Sequence, residues 1–291
     1  MVVGDLCLDI DVVPKGIFGS QREIDELYLC ASGSAGNTAI ALSQLGIQTD
    51  LISPVLEDRV FEIIKNILNN IPSLRVYRLE SLGKSTGVII NIFSVRGVRK
   101  VYFYKGPKAD NLKKIVEMLN TKNYELLHIS GYFLELSDHD KILEIIEQAK
   151  NCKVLVSLDL FPRVHMLPLN TTFEVLNNVD ILFGNLREFK SLEINSPNLI
   201  KKLLDKNVEA IVVKMGSKGA KTFMKSNEIK VASIRTKVKF LKGAGDVFVA
   251  TYLKTFLENK DHKEALKKAC EVASSHVAGK SPIEIAKIRL I

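Results

Sequence analysis

Lys242-Gly243-Ala244-Gly245-Asp246-Val247-Phe248 opens an amphipathic run through Ala250, Leu253, Phe256 and Leu257. Small residues stand where a helix begins, and the apolar positions that follow recur at helical spacing. Gly243, Ala244 and Gly245 leave room for a ligand to approach the backbone, and the unpaired amides of a first helical turn suit developing negative charge. Asp246 lies in that same turn. A carboxylate there can take a proton from an acceptor hydroxyl while the amides stabilise a transferring phosphoryl group. Taken alone, these residues fit equally well an ordinary helix start whose Asp satisfies the dipole.

Upstream of this stretch, short β-branched runs alternate with helix-length amphipathic segments. Strands are expected over Val2 to Leu8, Asp50 to Pro54, Leu126 to Ser130, Val154 to Asp159, Ile181 to Phe183 and Ala210 to Lys214. Helical patterns lie between them at Asn37 to Leu45, Arg59 to Asn69, Asp138 to Lys150 and Leu199 to Lys206. This is the rhythm of an α/β fold in three layers, α/β/α, around a mostly parallel, doubly wound sheet. Ile17 to Ala31 and Thr86 to Tyr104 break it. They read as extended segments, the second a hairpin turned at Arg96-Gly97. We expect a small β lid over about residues 10–31 and 86–104, with an antiparallel extension of the main sheet's edge as the alternative. A length of 291 residues, 46% hydrophobic, with no repeat, low-complexity tract or Pro/Gly/Ser linker, fits one domain over 1–291.

Two further stretches carry chemistry. Ser32-Gly33-Ser34-Ala35-Gly36-Asn37-Thr38-Ala39 again opens a helix with small residues, and Asn37 offers the donor and acceptor that hold a pair of hydroxyls or, more plainly, a helix cap. Gly4-Asp5-Leu6-Cys7-Leu8-Asp9 ends an apolar first strand in a carboxylate, either a hydroxyl contact or a solvated loop residue. Ligands of open α/β sheets bind beyond the carboxyl ends of the strands, so Asp9, Asn37 and Asp246 can share one rim. No G-x-x-x-x-G-K-[ST] loop is present; Gly216-Ser217-Lys218-Gly219-Ala220-Lys221 has the wrong spacing. A G-x-G-x-x-G after the first strand is also missing, which argues against a dinucleotide oxidoreductase.

A formal charge of +8 suits anionic ligands such as nucleotides. Lys113, Lys114, Lys201, Lys202, Lys267 and Lys268 are scattered over helices rather than gathered in a stripe, so no nucleic-acid partner is expected. Cys7, Cys30, Cys152 and Cys270 form no C-x-x-C pair and read as free thiols. No apolar stretch approaches the ~20 residues of a membrane span, and no leader pattern precedes the first strand, so a cytoplasmic protein without a membrane partner is expected.

At these residues the sequence resembles the ribokinase-like, or PfkB, family of carbohydrate and nucleoside kinases, over essentially the whole chain. The resemblance rests on the strand leading to Asp9, the glycine-rich stretch around Gly33 and Asn37, and the late G-A-G-D, in that order and spacing. It implies a ribokinase-like fold with a β lid, and an ATP-dependent, magnesium-requiring kinase acting on a hydroxyl of a small sugar or nucleoside. Asp246 then matches the catalytic base, and the amides of Gly243, Ala244 and Gly245 the anion hole. Asp9, Gly33 and Asn37 match substrate-binding positions. Asn185-Leu186-Arg187-Glu188 resembles an N-x-x-E motif that places magnesium and phosphate through water, with no direct metal ligand implied. Lys214, Gly216 and Gly219 fall in a stretch that resembles nucleotide-phosphate contacts. Asp159, Phe161 and Arg163 partly resemble a D-x-N-x-R stretch.

Departures from the family pattern are local. Phe240 and Leu241 stand where D-T usually precedes x-G-A-G-D, so the carboxylate that helps fix a monovalent cation is missing and potassium dependence is doubtful. Ser32 replaces the first Gly of a usual pair, and Pro54 to Arg59 keeps Asp58 without flanking glycines. They motivate the alternative of a non-catalytic sugar- or nucleoside-binding relative. Arg22, Arg96, Arg99 and Lys105 read as solvated lid charges or as contacts to a substrate phosphate. An exposed lid edge offers a route to a homodimer.

Overall fold

The computed structural model describes residues 1–15, 23–93, 99–194, 198–239, 241–281, 283–284 and 286–291. Its main sheet has nine strands, in the order Glu228–Val231, Ala220–Phe223, Ala210–Lys214, Ile181–Asn185, Leu155–Asp159, Leu126–Ser130, Val2–Val3, Thr49–Ser53 and Leu74–Arg78. Seven of them, from Ala210–Lys214 onward in that order, pair parallel, and Ala220–Phe223 and Glu228–Val231 extend one edge through two antiparallel pairings, so only Ala220–Phe223 runs against the rest. From the central Val2–Val3 the chain winds outward through Thr49–Ser53 to Leu74–Arg78. It then returns through Leu126–Ser130 to build the other half, so the winding reverses between Val2–Val3 and Leu126–Ser130. A ligand crevice belongs at the carboxyl end of that switch point.

Strand side chains alternate between two apolar layers. Val3, Ile129, Leu158, Leu182 and Val213 join one core with helices Lys113–Thr121 and His139–Asn151. Val2, Phe183 and Val212 face the other way, toward helices Ser34–Gln44, Ala244–Asn259 and His262–Val277. The three-layer expectation is met. Phe183 meets Tyr252 edge-on at 5.1 Å, which seats the helix Ala244–Asn259 on the sheet.

The expected first strand is corrected. Val2 to Leu8 is not one strand: Val2–Val3 belongs to the main sheet and Cys7–Pro14 to a second one. Gly4 makes the break, with φ +152, and a Cβ there would lie 2.6 Å from that of Ser130. The second sheet runs Lys287–Arg289, Ile24–Ser32, Cys7–Pro14, Gly87–Phe93 and Arg99–Tyr104. The described parts of the two irregular segments therefore leave the main sheet, and the edge-extension alternative falls. The turn expected at Arg96-Gly97 lies outside the described residues. Asp58 ties the two sheets' surroundings together: it caps helix Arg59–Leu68 through Phe61 N at 2.8 Å and accepts from Thr86 N at 2.7 Å.

His128 is fully buried in the central strand Leu126–Ser130, its Nδ1 2.9 Å from Ser157 Oγ. Burial, reinforced by the Lys214 ammonium, lowers its pKa from 6.5 to about 3. The unfolded chain takes up a proton below pH 6.5 that the folded one refuses, so this stability is present above pH 6.5 and lost as pH falls toward 3. Between pH 7 and 5 the loss is about 2 kcal/mol. A His128→Gln variant should therefore close its stability gap to the wild type as pH drops, in urea titrations at the two pH values.

Candidate active site

One cavity of about 750 Å³ opens at the switch point, between the carboxyl ends of the main-sheet strands and the inner face of the second sheet. Asp246, Asn37, Asp9, Gly33 and Gly243 line it together with Lys214. The size suits a small ligand with a nucleotide.

Helix Ser34–Gln44 packs against helix Ala244–Asn259 through small buried residues, among them Ala35, Ala39 and Ala250. The close approach brings two donors to the carboxylate of Asp246: Ser34 Oγ at 2.9 Å from Oδ1 and Asn37 Nδ2 at 2.9 Å from Oδ2. Burial pushes the pKa of Asp246 up to about 7, against the pull of the Asn37 bond. Helix Ala244–Asn259 begins after Gly243, which is left-handed (φ 73) and gives no side-chain cap. The Ala244 amide reaches the Leu241 carbonyl at 3.3 Å, a long bond. Such a turn, with a carboxylate that changes charge near neutrality, can accept a proton and stabilise an anion in one place.

Lys214, at the end of strand Ala210–Lys214, donates to both oxygens of Asp159 at 2.8 and 2.6 Å. Its ammonium lies 3.6 Å from where a Cβ on Gly245 would sit, which sets a cation beside the uncapped turn. Asn185 and Glu188 form a capping box on helix Leu186–Glu193: the Asn185 side chain accepts from Arg187 N and Glu188 N, and Glu188 Oε2 accepts from Asn185 N at 2.7 Å. Local structure alone thus accounts for N-x-x-E. The same Glu188 is buried on the cavity wall, and burial plus Asp159 push its pKa up to about 7. Gly216 lines the cavity as well, whereas Gly219 packs against the Val231 carbonyl outside it.

Asp9 is present but engaged. It is 2% exposed on the inner face of the second sheet, paired with Lys242 at 2.8 Å. Toward the outer wall Arg163 holds Glu135 through two bonds, 3.1 and 2.6 Å, under the rings of Phe103, Tyr132 and Phe161. Lys105 shares Glu135 at 3.2 Å. Arg22, Arg96 and the side chain of Arg99 lie outside the described residues, as does Phe240, on which the potassium expectation rests.

Sequence reasoning missed Asp5, which caps helix Ser34–Gln44 from outside it. Its carboxylate accepts from Ser34 N at 2.7 Å, Ala35 N at 3.3 Å and Ser130 Oγ at 2.7 Å. Gly33 allows this, because any side chain at its φ of +97 would run into the Asp5 carbonyl. Replacing Asp5 with Ala should cost about 2–3 kcal/mol in urea unfolding, through the lost cap and two stranded buried donors. The signal was an acidic residue one place after the strand-breaking Gly4.

The chain is 24% identical over 307 residues to a 5-dehydro-2-deoxygluconokinase of Bacillus licheniformis, covering 99% of the chain and 94% of that protein. It is 27% identical over 239 residues to a nucleoside kinase of Methanocaldococcus jannaschii, covering 79% and 73%. Arabidopsis thaliana ribokinase, solved with ribose and ATP, has the same fold with a TM-score of 0.78 at 21% identity, over 98% of this chain and 95% of that one. With residues 1–288 matching the profile described as pfkB family carbohydrate kinase, the chain belongs to that family.

Proposed function

We propose that this chain is an ATP-dependent kinase that transfers the γ-phosphate to a hydroxyl of a small sugar or nucleoside. One observation carries the proposal: Asp246 stands in the cavity at the uncapped start of a 16-residue helix, held by two donors, with the Lys214 ammonium beside the same turn. In this account Ser34 and Asn37 aim the carboxylate, Asp246 takes the acceptor proton, and the amides of Gly243, Ala244 and Gly245 face the transferring phosphoryl group. Lys214, Gly216 and Asn185 hold the nucleotide phosphates.

Magnesium fits this end of the cavity by charge, since Asp159, Glu188 and Asp246 outnumber Lys214. Among the described residues no three side chains gather to ligate a metal, so Glu188 would hold the ion through water, as hydrated magnesium prefers. When bound, the ion neutralises phosphate charge.

The second sheet supplies Cys7, Asp9, Ile89 and Phe103 to the cavity wall and would act as a lid. At its outer wall two cations share the single carboxylate of Glu135, and relatives named 5-dehydro-2-deoxygluconokinase act on an acid sugar; both favour an acceptor bearing an anionic group. Turnover of acid sugars against their neutral analogues and nucleosides tests this choice. The lid's edge strand Arg99–Tyr104 and the exposed pair Ile90 and Tyr102 support pairing of two copies, which light scattering would decide. Four free cysteines suit a cytoplasmic enzyme. The non-catalytic alternative draws on Asp9, one of whose two oxygens is taken by Lys242; binding of acceptors without ATP consumption would favour it.

A further inference from the structure

Lys242 comes immediately before the left-handed Gly243, and its side chain leaves that loop for the second sheet. Its ammonium lies 2.8 Å from Asp9 Oδ2 and 2.8 Å from Asp11 Oδ2. Asp9 and Asp11 are two residues apart on strand Cys7–Pro14, so their carboxylates point to one face. Pairing sets Cys30 opposite Asp9 and Asn91 opposite Asp11. Asn91 Nδ2 donates to Asp11 Oδ1 at 2.6 Å and to Asp9 Oδ2 at 3.3 Å, and the Cys30 thiol leans on Asp11 at 3.6 Å. Asp9, Asp11 and Asn91 are all buried. At its other end, the Lys242 carbonyl accepts from His276 Nε2 at 2.9 Å, which pins the loop to helix His262–Val277.

We propose that Lys242 is a positioning residue that keeps Asp9 ionised on the cavity wall and ties the sheet carrying Asp9 to the loop carrying Asp246. The charge balance explains why this lysine matters. Two carboxylates share a buried site with one ammonium; the facing thiols of Cys7 and Cys30 add no positive charge, and burial holds both thiols neutral. Without Lys242, like charges in a dry site force one carboxyl to keep its proton. A protonated Asp9 is a poor acceptor for a substrate hydroxyl. The mechanical part of the role follows from the two ends of the residue: its backbone belongs to the turn that precedes Asp246 and its side chain to the lid strand, so the distance between the two functional carboxylates is set by one residue. The acceptor part of this inference rests on the kinase reading.

The test uses the full chain as wild type, Lys242→Met and Lys242→Met/Asp11→Asn. In ¹³C-carboxyl NMR of aspartate-labelled protein, assigned with Asp9→Asn, the Asp9 titration should move up by about one unit or more in Lys242→Met. It should return toward the wild-type position in the double variant, which leaves Asp9 without its like-charged neighbour. With whichever of D-ribose, D-gluconate and adenosine the wild type phosphorylates best, Lys242→Met should raise acceptor KM about tenfold at pH 7 and recover toward pH 9, with kcat changing less; the double variant should regain most of the affinity at pH 7. An Asp9 titration that does not move, or an equal loss of kcat in both variants without recovery at high pH, overturns the proposal. If Lys242→Met does not fold, the charge-balanced double variant decides alone: weak, pH-independent acceptor affinity with wild-type stability overturns it. Because the NMR experiment contains no substrate, its failure is separate from the failure of the kinase reading, which would appear as a wild type that phosphorylates none of the three.

Discussion

An Asp246→Asn variant is expected to lose about 10³- to 10⁴-fold in kcat, the upper range for a positioned general base, while acceptor affinity stays within a few-fold. The asymmetry follows from the site. Asparagine keeps the shape, and Asn37 can turn its amide to meet it, but no group remains that can take the acceptor proton. The pH profile gives an independent sign. A base with a pKa near 7 works only when ionised, so wild-type kcat/KM should rise through pH 7 and then level off. Glu188 titrates in the same range, and Glu188→Gln should keep that limb if Asp246 is its source. Stability should move the opposite way to activity. The folded-state pKa of Asp246 lies above its unfolded value, so the folded chain takes up a proton as pH falls from 7 toward 4 and gains stability in that direction. Above pH 7 the half-buried carboxylate is a cost that Asn removes. Asp246→Asn should therefore melt higher than the wild type at pH 8, with the gap closing toward pH 4.

The second large effect is expected at Lys214. Removing this partly buried ammonium strands the buried Asp159 beside Glu188 and Asp246, and breaking a fully buried pair on one side costs about 3–5 kcal/mol, which sets the upper bound here. Lys214→Met should thus lower Tm sharply, and the companion change Asp159→Asn should restore much of the loss. Activity should not return with it. If Lys214 stabilises transferring phosphate, both variants should stay down by about 10²- to 10³-fold in kcat/KM, the size of a lost electrostatic contact in a closed site. Lys214 also pulls the pKa of Asp246 down, so the activity limb should shift to higher pH in Lys214→Met. A double variant that recovers stability and activity together would make the Lys214–Asp159 pair purely structural.

What the sequence revealed depended on burial. Strands covered on both faces, such as Ile181–Asn185 and Ala210–Lys214, are continuous apolar runs and were read within a residue or two. Edge strands were missed because one side faces water and the pattern dissolves: Leu74–Arg78 mixes half-buried with exposed residues and has no fully buried position, and Lys287–Arg289 is exposed throughout. The break at Gly4 was also invisible, since two short apolar strands in different sheets spell the same run as one long strand. In the site, the helix-opening glycines and Asp246 were legible because local backbone needs dictate them. The partners of those residues were not. Ser34 and Asn37 reach Asp246 across 212 and 209 residues of chain, and Lys242 reaches Asp11 across 231, so only the folded chain reveals that the site's carboxylates are held from within.

Phosphoryl transfer itself is the most direct test. Wild-type protein incubated with ATP, magnesium and each of a set of sugars, acid sugars and nucleosides should convert at least one of them to a phosphate monoester, seen as a new ³¹P resonance that grows as the ATP γ-phosphate signal declines and is missing with Asp246→Asn. Binding of these compounds without any new monoester, or a monoester formed equally well by Asp246→Asn, would contradict the account.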